Sequence, residues 1–244
     1  NRLVGSEMCI RDSFKSDISV VQIEENLYEG NVSDMWSIGT TPNGGYTMAL
    51  AAKAISESLE HKDPLIVTAN YLNRVNFGKI DIKVETLPST RSLSSARATM
   101  IQDNEIKVIF TATFTDLSKS TGLNKAFKKE PIFEKYEDCH LHAFKEGFNP
   151  GLEKFIEKKY CSDSIWWKAK DNNENKKAVL NLYMSWPNKE KADLYSLILF
   201  LDATTPPIFN NMGSVGWVPT ISLTSHIRSY PSEGPLKVTA KTEF

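Results

Sequence analysis

The stretch Trp36-Ser-Ile-Gly-Thr-Thr-Pro-Asn-Gly-Gly-Tyr46 runs straight into an alanine-rich segment from Thr47 to Leu59. Pro42 and Asn43 stop the incoming chain, and Gly44 and Gly45 take side chains out of the turn. Met48, Ala51, Ala52, Ile55 and Leu59 then recur at helical spacing. The pattern predicts a helix over 47–59 with a bare N-terminus. Unpaired N–H groups and a partial positive charge at such an end suit a carbonyl oxygen that gains negative charge, and glycines let a ligand come close. The same pair would also serve close packing of the helix on a sheet, and spacing alone leaves both readings open.

Four strand-like segments follow, at 65–72, 79–86, 93–102 and 106–115. In the second of them Ile80, Ile82 and Val84 alternate with Asp81, Lys83 and Glu85, the mark of a sheet with one buried and one wet face. Gln102-Asp-Asn-Glu105 closes a hairpin between the last two. Upstream, 27–32 reads as a short strand and Trp36 as a core anchor. A long helix followed by an antiparallel meander is α+β.

Composition bounds the function. The chain has 244 residues, 41% of them hydrophobic and 24% charged, with a net charge of −1 from interspersed signs. That is a globular chain with no basic stripe to track a phosphate backbone, so no nucleic-acid partner is expected. No apolar run approaches the roughly 20 residues needed to cross a bilayer, so no membrane partner is expected either, and the location read is cytoplasmic. Three cysteines give no disulfide framework. Cys139 with His140 and His142 has the right residue types for a metal but no second ligand pair at a usable spacing, so neither metal nor cofactor is expected.

Residues 3–13 read like a translated sequencing adapter, so 1–13 are set aside as a non-native segment that packs on nothing, with a C-terminus that is equally arbitrary. The pattern changes after Asp116: glycine and proline recur and lysines gather at Lys125, Lys128 and Lys129. These lysines read as a solvated charge run rather than as phosphate contacts. The expected organisation is a unit over 14–118, a linker over 119–163 and a second unit over 164–244. That second unit repeats the logic of the first. It offers a strand at 178–186, then a helix at 191–201 with Leu194, Leu197, Ile198 and Leu201 on one face, ended by Pro206 and Pro207. A strand at 216–228, a turn at 230–234 and a strand from Leu236 complete it.

Pro42-Asn-Gly-Gly-Tyr-Thr-Met-Ala-Leu-Ala-Ala, Asn70-Tyr-Leu, Val84-Glu-Thr-Leu, Arg97 and Ile101-Gln resemble the first half of double-hotdog acyl-CoA thioesterases. Leu201-Asp-Ala-Thr-Thr-Pro-Pro and Trp217-Val-Pro-Thr-Ile-Ser-Leu-Thr-Ser-His resemble the second half. The resemblance implies an α+β double hotdog, two helix-wrapped antiparallel sheets in tandem, the second short of about its last two strands. It also implies hydrolysis of an acyl-CoA substrate by carboxylate-activated water, without metal or cofactor. The catalytic carboxylate falls on Asp202 and the hydroxyl on Thr220, with the amide partner beyond Phe244. Ser222 stands where close relatives carry an acid, and Ser222 and Thr224 compete with Thr220 for the hydroxyl role. Asn43, Gly44, Gly45 and Tyr46 are the expected substrate-binding residues.

The chemistry agrees independently of the family. Asp202 ends an apolar run, where burial would raise its pKa toward that of a useful base; the plainer reading is an Asp that caps the turn at 204–207. The alternatives are a hotdog enoyl-CoA hydratase, which needs a histidine beside Asp202, and a non-catalytic acyl-CoA-binding double hotdog. His226 reads as a packed or exposed strand histidine. A homo-oligomer is left open.

Overall fold

The computed structural model describes residues 10–123, 125, 127, 129–168, 177–214 and 216–243. The chain opens with α1 (Ile10–Asp17), β1 (Val20–Glu24), β2 (Leu27–Val32) and two short strands, β3 (Ser37–Ile38) and β4 (Thr41–Pro42). Helix α2 (Gly44–Ser58) follows, then the meander β5 (Asp63–Tyr71), β6 (Gly78–Thr86), β7 (Ser94–Gln102) and β8 (Glu105–Thr115). After these come β9 (His140–Leu141), β10 (Glu157–Tyr160), β11 (Val179–Ser185), α3 (Leu194–Asp202), α4 (Phe209–Met212), β12 (Ser222–His226) and β13 (Leu236–Lys241).

Helix α2 begins at Gly44, three residues earlier than the apolar periodicity indicates, because Asn43 caps it: the Asn43 Oδ1 accepts from the Tyr46 N–H at 3.0 Å. Seven antiparallel strands in the order β1-β2-β6-β7-β8-β5-β12 form the sheet around it. Their alternation decides which face meets the helix: Ile80, Ile82 and Val84 of β6 are buried while Asp81, Lys83 and Glu85 are exposed. The β7–β8 turn places Asp103 and Asn104 at φ of 55° and 61°, the left-handed region these short polar residues tolerate, which gives a hairpin turn whose twist matches the strands.

The second half sets α3 against α2 and adds a four-stranded sheet, β13-β11-β10-β9. A capping box starts α3, with Asp193 Oδ1 accepting from the Ser196 N–H at 2.7 Å and Ser196 Oγ accepting from the Asp193 N–H at 3.1 Å. This is an α+β double hotdog, and its halves interlock. Strand β12 of the second half pairs with β5 of the first, Thr224 opposite Thr68. Phe14, Trp36 and Trp186 pack edge-on or tilted, with ring centroids 5.3 to 6.0 Å apart, between them.

Three sequence expectations change. The segment 119–163 is more than a linker, since β10 within it pairs with β11 and the second sheet therefore starts there. Glu157-Lys-Lys-Tyr160 hides as a strand because Lys158 is buried not by apolar character but by an ion pair with Glu153 at 2.8 Å, their side chains 3% and 8% exposed. Of the lysines expected as a charge run, Lys125 and Lys129 are exposed and Lys128 lies outside the described residues. The strand expected over 216–228 contracts to Ser222–His226, with Pro219 in the irregular approach. The segment set aside at the N-terminus contributes structure from Ile10 onward: Ser13 is buried, and Phe14 beyond it is fully so, while 1–9 lie outside the described residues.

The glycine pair has a partner the sequence could not indicate. A Cβ on Gly45 would stand 2.7 Å from the Ile198 carbonyl oxygen and 2.9 Å from that of Leu199, so Gly45 lets α2 cross the backbone of α3, not a sheet. A Gly45→Ala substitution forces the helices apart and costs about 1–3 kcal/mol, the usual range for overpacking. The thermal midpoint of G45A is expected to fall by several degrees, and G45V by more; a wild-type midpoint for G45A would show that the helices do not cross this closely.

Candidate active site

Asp202 is the last residue of α3, and its carboxylate points at the first turn of α2. Oδ2 accepts from the Gly45 N–H at 3.1 Å and from Asn43 Nδ2 at 2.9 Å. Oδ1 accepts from Thr220 Oγ1 at 2.9 Å. Asn43 also donates to the Asp202 carbonyl at 3.0 Å, while its own backbone N–H donates to the Trp36 carbonyl at 2.8 Å. One asparagine thus caps α2, holds the end of α3 and is itself held by the incoming chain. The helix end that looks bare in the sequence is filled: its anion is the carboxylate of Asp202.

Two opposed effects set the proton affinity of Asp202. Burial raises its pKa above the ordinary 3.8, and hydrogen bonds from Thr220, Gly45, Gly44 and Asn43 pull it back; burial is the larger. Tyr71, from the end of β5, donates its hydroxyl to the Gly44 carbonyl at 2.7 Å. Burial and the neighbouring Asp202 push that phenol far above its usual range, so it remains a neutral donor.

A cleft of about 380 Å³ opens beside this group. Among the described residues lining it, Asp202 and Arg74 are the charged ones, and Leu72, Val75, Trp217, Val218 and Ile221 supply apolar walls. Arg74 reaches across to donate to the Thr40 carbonyl.

Of the residues singled out in the sequence, Asn43, Gly44, Asp202 and Thr220 line the cleft together. Gly45 contributes its N–H to Asp202, but its Cα faces α3. Tyr46 lies apart from the cleft and is structural: fully buried, it donates to the Asp17 and Asn31 carbonyls at 3.0 and 3.3 Å and accepts from the Ser33 N–H. Thr224 bonds Thr68 at 3.1 Å on the sheet surface, and Ser222 sits opposite Asn70, so the hydroxyl that meets Asp202 is that of Thr220, just before β12. His226 is exposed on β12 opposite Ile66. Tyr71 and Arg74 are the residues sequence reasoning missed. Both come from the end of a strand and the loop after it, about thirty residues from Asn43, and no local spacing connects them.

Residues 32–115 match the family model of the acyl-CoA thioesterase N-terminal domain, and residues 136–244 that of the C-terminal domain. The chain belongs to the acyl-CoA thioesterase family. Among solved structures, a protein assigned as a thioesterase II from Thermobifida fusca YX superposes with a TM-score of 0.86 at 22% identity, over 97% of this chain and 88% of that one. A hot-dog-fold protein of unknown function from Alicyclobacillus acidocaldarius gives 0.81 at 18% identity, over 95% and 87%. These likenesses show the fold. The thioesterase-like protein TwmA of Talaromyces wortmannii is 29% identical over 92 residues, which are 36% of this chain and 26% of that one, so the match spans about a quarter of that relative. Among the described residues no helix is long and apolar enough to cross a membrane.

An Asn43→Ala variant removes the cap of α2 and two donors to Asp202. Loss of such a cap alone costs about 0.5–2 kcal/mol. Urea denaturation is expected to show a loss at or above the upper end of that range, because the half-buried carboxylate also loses a partner; a loss under about 0.5 kcal/mol would show that Asn43 does not hold the two helix ends together.

Proposed function

We propose that this protein hydrolyses acyl-CoA thioesters to free acid and coenzyme A, with Asp202 as the base that activates water. The observation that carries this reading is a half-buried carboxylate with raised proton affinity, held from three sides by Thr220, Asn43 and Gly45, at the wall of a cleft with apolar sides. Hydrolysis needs a water held against the thioester carbonyl carbon and a group to receive its proton. Asp202 receives that proton as the new C–O bond forms, and Thr220 fixes the orientation of Oδ1. Collapse of the tetrahedral intermediate breaks the C–S bond, and coenzyme A leaves as a thiolate that takes up a proton.

This role fixes the sign of the pH dependence. The base works only when ionised, so the rate falls as pH drops through the pKa of Asp202, and burial places that acid limb above the ordinary carboxylate value of 3.8. Stability runs the other way. A carboxyl whose folded pKa is raised contributes most below its unfolded pKa, and that contribution is lost as pH rises through the folded value.

An Asp202→Asn variant keeps size and can accept from Gly45 and Asn43 through its oxygen while its amide donates to Thr220. Free-thiol release from a panel of acyl-CoAs is expected to fall by about two or more orders of magnitude and to lose its acid limb. Stability at neutral pH is expected to be unchanged or higher. Retained turnover in D202N would remove Asp202 from the chemistry, and wild-type binding of acyl-CoA with no thiol release would make the protein a non-catalytic acyl-CoA binder.

A further inference from the structure

Cys139 and Cys161 lie 22 residues apart in sequence and face each other across two strands. Strands β9 and β10 pair antiparallel, Leu141 with Lys159 and His140 with Tyr160, and the same register carried one step further sets Cys139 opposite Cys161. The His142 N–H donates to the Lys158 carbonyl, and since hydrogen-bonded and open pairs alternate along such a ladder, 139/161 is an open pair, where side chains come closest. The two sulfurs are 3.8 Å apart.

A third group joins them. The Glu134 carboxylate and the two sulfurs all lie within 4.8 Å of one another. Its place is fixed: Oε2 accepts from the Ser162 N–H at 3.0 Å and from Ser162 Oγ at 2.9 Å, and the Glu134 carbonyl accepts from the Tyr183 hydroxyl at 2.8 Å. Phe133, Tyr136 and Tyr183 pack over the buried sulfurs. Lys159 Nζ, bonded to the Tyr136 carbonyl at 2.8 Å, sets a positive charge nearby.

Two buried thiols beside a carboxylate are an unfavourable arrangement for anions. A divalent cation reverses that balance. The spacing also fits one: two thiolates at about 2.3 Å from a tetrahedral zinc stand about 3.8 Å apart.

We propose that Cys139, Cys161 and Glu134 form a binding site for a soft divalent cation of the zinc class, with solvent in the fourth position. Each thiol gives up its proton to water as its sulfur binds, and the carboxylate supplies the third ligand without proton loss. Two thiolates favour zinc over the hard cations magnesium and calcium. None of the three residues lines the Asp202 cleft. The ion would clip the chain around Glu134 to the edge of the second sheet, where β9 is the last strand. The ligand set is invisible to a search for paired motifs, because strand register, not sequence spacing, brings Cys161 to Cys139.

The test uses untagged full-length protein carrying Cys9→Ser, so that only these two thiols titrate, stripped with chelator and then titrated with zinc and with cobalt. Cobalt is expected to give thiolate charge-transfer absorption and the visible bands of a tetrahedral ion, saturating at one ion per chain, and zinc to raise the melting temperature. Cys139→Ser and Cys161→Ser should abolish the cobalt spectrum. Glu134→Gln, which leaves the buried pair intact and guards against a folding artefact, should weaken binding by about 10-fold or more. Two thiols that titrate as free in native protein with no cobalt spectrum would overturn the proposal in favour of a packed thiol pair. Loss of both thiols to a disulfide in chelator-treated protein that then takes up no ion would overturn it in favour of a redox pair.

Discussion

The closing of α3 onto α2 depends on a carboxylate from one helix end meeting the amides of another. Asp202 sits at the C-terminus of α3, where its charge opposes that helix's own dipole, and the position is tolerable because the amide end of α2 receives it. Gly45 makes the approach sterically possible, and Asn43 locks it by bonding both Asp202 oxygens available to it, the carbonyl and Oδ2. The contact that assembles the two halves is therefore also the one that positions the proposed base. Substitutions at Asn43 or Gly45 that break this contact would therefore also displace the proposed base.

The rest of the site inherits its geometry from the sheet. Strand β12 pairs with β5 from Ser222 to His226, and just beyond the ladder the Tyr71 N–H donates to the Ile221 carbonyl at 3.0 Å. Register in a strand pair is fixed to the residue, since a one-residue slip would turn every side chain to the other face. Thr220 and Tyr71, on the two lips of the cleft, are thus held at set heights relative to Asp202 and Gly44. Phe14, Trp36 and Trp186 brace the same junction. Trp36 also donates Nε1–H to Asp17 at 2.8 Å, which ties α1 to the chain that leads into the site.

What was legible in the sequence follows from the range of each interaction. Helix α2 and strands β2 and β5 to β8 show in local periodicity, because each buries one face and the apolar positions recur at 3.6 or 2 residues. Strand β10 does not show, because burial there is achieved by the Lys158–Glu153 pair, and charge does not read as core. Asp202 and Thr220 were found through family resemblance; their composition alone allowed a turn cap and a surface threonine. Gly45 was seen as necessary without its reason, since Ile198 and Leu199 lie more than 150 residues away. Tyr71 and Arg74 were missed because the fold, not local spacing, brings the end of β5 and the loop after it to Gly44 and Thr40.

In the role proposed for it, Asp202 has an environment that balances two requirements of a general base. A carboxylate given every possible donor would be so well stabilised as an anion that it would accept a proton poorly, while one buried without donors would be protonated and useless at neutral pH. Here the donors satisfy the carboxylate and burial still prevails, which leaves it ionisable yet more basic than an exposed aspartate. The donors are neutral amides and a hydroxyl rather than a cation, and that choice matters: a lysine or arginine at Asn43 would pull the proton affinity down by far more than an amide does. Weak partners and partial burial together leave the carboxylate more basic than an exposed aspartate, and the same weak partners are what hold the two helices together.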